Sequence, residues 1–81
     1  MKLEKFLNKF VGMAQHVDIC RDKDGKTLAV GDSLDIQRSK KWDSIKKRQV
    51  VNIMTIDYDE DYRYPDIEIL CDKSVLVIYV L

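Results

Sequence analysis

Apolar residues first recur at Leu3, Phe6, Leu7, Phe10 and Val11. Spacings of three, four and one fall on a single helical stripe and leave Lys2, Glu4, Lys5, Asn8 and Lys9 outward. The pattern predicts a short helix that stops near Gly12, with Lys9 well placed at the negative end of its dipole. So short a helix is marginal alone and must dock its stripe on something. The docking surface follows directly. Gln15, Val17, Ile19 and Arg21 alternate with Ala14, His16, Asp18 and Cys20, the period of a strand. Asp22-Lys23-Asp24-Gly25 reads as a tight turn in which Gly25 supplies a positive φ. Residues 26–30 return as a second strand, with Leu28 and Val30 inward and Gly31 closing it.

Beyond the hairpin the periodicity changes. Asp32 or Ser33 is placed to cap a turn holding Leu34 and Ile36. A short helix over about 40–47 puts Trp42 and Ile45 on one face, and Trp42 is the largest anchor available to cover an end of the sheet. Val50, Val51, Ile53, Met54 and Ile56 form a strand apolar on both faces. A polar, aromatic loop over 59–66 follows, and Pro65 delays the next strand to about Asp66. Residues 66–71 and 74–81 complete a three-strand meander. The predicted architecture is a single α+β domain over 1–81. Its N-terminal helix packs on an antiparallel sheet of about five strands, with a short helix between strands 2 and 3. Phe6, Leu7, Phe10, Val17, Ile19, Leu28 and Ile53 are its expected core.

Composition narrows the function. Fourteen basic and fourteen acidic residues among 81 cancel, which argues against a dedicated nucleic-acid binder and against an acidic mimic of one. The longest uninterrupted apolar run, 75–81, is far short of the roughly 20 residues that span a bilayer. Lys2, Glu4, Lys5, Asn8 and Lys9 interrupt any secretory signal, so the expectation is a cytoplasmic chain without membrane contact. Its thiols Cys20 and Cys71 form no paired motif and read as small buried hydrophobes.

Candidate chemistry is sparse. Asp57, Asp59, Asp61 and Glu68 have the spacing of a calcium loop, but Tyr62 stands where the sharp turn wants glycine, Pro65 at the ninth position, and the flanks are strands. No metal or other cofactor is expected. Exposed acids give no means of separating pKa values for acid–base work, and His16 has no nucleophile at motif spacing. The serines lie in no nucleophile motif. These readings point away from an enzyme.

Two charged surfaces remain. Arg38, Lys40, Lys41, Lys46, Lys47 and Arg48 concentrate base around Trp42, with Asp43 as the single acid. Residues 57–72 hold seven acids and one base, Arg63. Within them Tyr58, Asp59, Glu60, Asp61, Tyr62, Arg63 and Tyr64 combine the residue types enriched at binding hot spots. The terminal strand is apolar on both faces, which predicts a homodimer built on Leu76, Ile78 and Val80.

The segments FLNKFVG, VDICRDKDGKTLAVGD, RQVVNIMTIDYD and DIEILCD together resemble a group of small proteins from phages and mobile elements of Firmicutes-type bacteria. The resemblance covers most of the chain, apart from the terminal SVLVIYVL. It implies a phage accessory protein that binds and inhibits a host protein, as anti-CRISPR proteins do, and it brings no catalytic residue. The expected function is therefore a non-enzymatic binding protein whose partner is a host protein met through residues 58–64. The competing readings are a nucleic-acid module using Arg38 to Arg48, with Trp42 for stacking, and an oligomer that sequesters a nucleotide signal.

Overall fold

A computed structural model describes residues 1–57 and 74–81. Helix α1 spans Leu3–Phe10, strand β1 His16–Arg21, strand β2 Thr27–Asp32, helix α2 Ser33–Arg38, helix α3 Trp42–Ile45, strand β3 Val50–Asp57 and strand β4 Ser74–Val80. The four strands form one mixed sheet in the order β2-β1-β4-β3. The fold is α+β with an N-terminal helix, as the sequence predicts. The sheet is not wholly antiparallel, because β4 inserts beside β1 in parallel, with Val17 opposite Leu76 and Ile19 opposite Ile78. The strand expected over 66–71 lies outside the described residues.

The position of β4 explains its composition. A strand with neighbours on both sides and cover on both faces has no solvated side, so it reads as a continuous apolar run. Val75, Val77, Ile78 and Val80 are fully buried within one chain. Ile78 and Val80 join Leu3, Leu7, Val17, Ile19, Ile36 and Ile45 in the core beneath the helices, and Leu76 packs against it. This corrects the expectation that Leu76, Ile78 and Val80 face a second subunit. A central strand has no free edge, and these side chains already have partners in their own chain.

Helix α1 is held at its N-terminus by backbone rather than by a capping side chain. The Leu3 N–H donates to the Arg48 carbonyl and the Glu4 N–H to that of Lys46, both at 2.9 Å. Two of the donors that every helix start leaves orphaned are thereby satisfied. The stripe docks through Leu3 and Leu7, both buried, and half-buried Phe6. Phe10 is 66% exposed, its ring 5.5 Å from that of Phe6, so it is not the core residue the stripe predicts.

The β1–β2 hairpin forms as predicted, with Gly25 at φ +72°. The Arg21 guanidinium donates to both Asp24 oxygens at 2.6 and 3.1 Å, and the Lys26 N–H adds a third bond at 3.1 Å. Arg21 first, and the Lys26 N–H after it, hold the Asp24 carboxyl down to about 2. A carboxyl lowered on folding stabilises above its unfolded pKa and loses that contribution as pH falls toward the folded value. A carboxyl-carbon NMR titration is expected to place Asp24 near that value and to move it up in Arg21→Gln. An unmoved midpoint would separate the turn from the ion pair.

A register shift near Cys20 leaves Leu28 unpaired in β2. Its consequence is that Val30 sits opposite Asp18 and is exposed, where strict alternation from Leu28 had turned it inward.

Candidate functional site

A concavity lies along β2, which among the described residues pairs only with β1. Thr27, Leu28, Ala29 and Val30 form one wall, Asp35 and Ile36 of α2 the other, and Ser39, Lys40 and Lys41 close the end. The groove encloses about 450 Å³, within the roughly 300–1,000 Å³ typical of ligand sites. Helix α2 follows β2 without a linker and so stays beside it. Asp32 stands at its N-cap position without capping it, since its carboxylate meets His16 Nδ1 across the strand pair. The helix ends where Ser39 Oγ and the Ser39 N–H both donate to the Ile36 carbonyl, at 2.7 and 3.1 Å. That turn sets Lys40 and Lys41 at the end of the groove.

The structure divides the basic segment. Lys46 pairs with Asp43 at 3.1 Å, Lys47 approaches Glu4 at 3.8 Å, and Arg48 donates to the Leu81 carbonyl at 2.8 Å. Trp42 is half-buried against the core, and its ring is used in packing rather than offered for stacking. Arg38, Lys40 and Lys41 are exposed, and no acid among the described residues pairs with them. The six bases therefore do not make one continuous surface, and among the described residues the bases that meet no acid are Arg38, Lys40 and Lys41, the two lysines at the groove's end. With Asp35 in the wall, the groove is basic at one end and acidic along one side.

A second polar row lies on the sheet face away from the helices. His16, Asp18 and Cys20 share that face, as their alternation predicts. Asp18 and Cys20 are buried, the Cys20 thiol donating to Asp18 Oδ1 at 3.3 Å and lying 3.8 Å from Thr27 Oγ1. His16 and Cys20 stand four residues apart on one strand, about 13 Å at the usual rise. The imidazole therefore cannot take the thiol proton, and the row is no Cys–His nucleophile.

The tyrosine-rich candidates Tyr58, Asp59, Glu60, Asp61, Tyr62, Arg63 and Tyr64 lie outside the described residues, as do Cys71 and the acids of the calcium-like spacing beyond Asp57. Among the described residues no group of His, Cys, Asp or Glu is arranged to hold a metal, and no helix is long and apolar enough to cross a membrane. The sequence names Lys40 and Lys41 but not the groove they close. The signal was the start of α2 directly after β2, which fixes a helix beside a sheet edge. No protein-family model, curated protein or solved structure matches the chain.

Proposed function

We propose that the chain is a non-enzymatic binding module that captures an extended, acidic segment of a protein partner along β2. The observation that carries this reading is the groove: among the described residues, a strand edge with a neighbour on one side, an apolar wall and two lysines that meet no acid. An open edge offers main-chain hydrogen bonds to an added strand, and the adjoining pockets select its side chains. Lys40 and Lys41 favour a carboxylate at the end of that strand and speed its encounter. In the phage setting that the sequence resemblance implies, the partner is a host protein and its capture is inhibition. The nucleic-acid reading has less support, because Lys46, Lys47 and Arg48 are already engaged within the chain, and phosphate binding draws its affinity from many free bases.

The test is an NMR titration of the labelled chain with an extended peptide alternating valine and glutamate, beside a DNA duplex of equal charge. The peptide is expected to shift the amides of Thr27–Val30 and Ser39–Lys41 selectively. Lys40→Glu with Lys41→Glu is expected to weaken it by roughly tenfold or more. Tighter binding to the duplex with a steep salt dependence, or shifts scattered away from β2, would sink the proposal.

A further inference from the structure

The groove along β2 has a closed end, and its place follows from the path of the chain. Helix α2 begins where β2 ends, yet the cleft between them still takes in Thr27, so α2 runs back along the strand toward its start. Its 6 residues rise about 9 Å, close to the roughly 10 Å that separate Val30 from Thr27 along a strand. Ser39, Lys40 and Lys41, which close the groove, therefore stand beside the beginning of β2. The two lysines are consecutive and exposed, and no acid among the described residues pairs with them.

We propose, on the footing of the capture reading above, that the groove takes a free C-terminus. The partner's last residues pair antiparallel with β2, and its terminal carboxylate meets Lys40 and Lys41. A groove blocked at one end does not admit the middle of a chain that runs on past it; the chain laid along it has to stop there. Of the two termini, the ammonium is repelled by adjacent lysines and the carboxylate is attracted. A terminal carboxylate also lies in line with its strand, where the lysines stand, whereas a glutamate or aspartate side chain projects to one face of the sheet. Asp35 in the wall disfavours an acidic side chain alongside it, and Leu28, Ala29, Val30 and Ile36 suit apolar residues before the end. The chain's own residues 58–73 are joined at both ends, to Asp57 and to Ser74, and have no terminus to offer. The closed end thus selects a partner's C-terminus over the chain's own segment.

The experiment titrates the labelled full chain with the valine–glutamate peptide, ending in valine, as the free acid and as the C-terminal amide. The free acid is expected to shift the amides of Thr27–Val30 and to bind about tenfold or more tightly than the amide. In Lys40→Gln with Lys41→Gln the two forms are expected to bind alike. A nitroxide at the peptide's N-terminus is expected to broaden Val30 more than Thr27, because an antiparallel partner ends at Thr27. Equal binding of acid and amide to the parent chain would overturn this inference and leave capture along β2 standing. A preference for the acid that survives in the glutamine variant, or broadening strongest at Lys40 and Lys41, would do the same. No shift at Thr27–Val30 with either form would bring down the capture reading itself, and this inference with it.

Discussion

Replacing Leu7 by alanine is expected to cost about 2–5 kcal/mol, the range for truncating a buried leucine, whereas Phe10→Ala should cost no more than about 1 kcal/mol. The bulkier residue has the smaller effect because it is the exposed one. Leu7 is buried in the core with Val17, Ile19, Ile78 and Val80, and its removal opens a cavity under the only long helix among the described residues. Phe10 touches the Phe6 ring from water. For a chain of this size each kcal/mol moves Tm by roughly 4–8 °C, so urea or thermal unfolding separates the two variants cleanly. Equal losses would mean that α1 is rotated about its axis from the orientation described.

The comparison also shows what the sequence makes legible. Helical periodicity located α1 and named its inward stripe, but it has no information on where the sheet beneath that stripe stops. Strand alternation placed His16, Asp18 and Cys20 on one face, and Gly25 marked the turn, because these are properties of neighbours in the chain. The short helix around Trp42 and Ile45 was readable for the same reason.

Strand order was not. The insertion of β4 between β1 and β3 depends on contacts between residues about sixty apart, such as Val17 with Leu76. The run Val75 to Val80 did carry a signal, since a strand apolar on both faces suits the centre of a sheet as well as a subunit interface. The structure selects the centre. At the candidate site, the sequence counted six bases but not their pairing. Lys47 meets Glu4 and Arg48 meets Leu81 because α1 begins and β4 ends beside the 46–49 segment. The turn after α2 carries Lys40 and Lys41 to the groove, where no acid among the described residues pairs with them.

The same substitution at two facing residues is expected to give opposite outcomes. Ile78 of β4 and Ile53 of β3 are register partners across an antiparallel pair. Ile78 is fully buried at the centre of the sheet, and Ile53 is about half exposed at its edge. In Ile78→Lys the lost packing costs about 2–5 kcal/mol, and an ammonium without an acidic partner there adds several kcal/mol more in desolvation. Domains have only about 5–15 kcal/mol to lose, and the shortest chains sit at the low end. Ile78→Lys is therefore expected to be unfolded at neutral pH, with collapsed amide dispersion and no cooperative melt. In Ile53→Lys the ammonium stays in water and the stem lies along the strand. That chain should fold and melt within a few degrees of its parent when both are compared at low concentration, where assembly adds nothing to stability. A folded Ile78→Lys would mean that β4 is not the central strand. An unfolded Ile53→Lys would mean that β3 is covered within the chain itself.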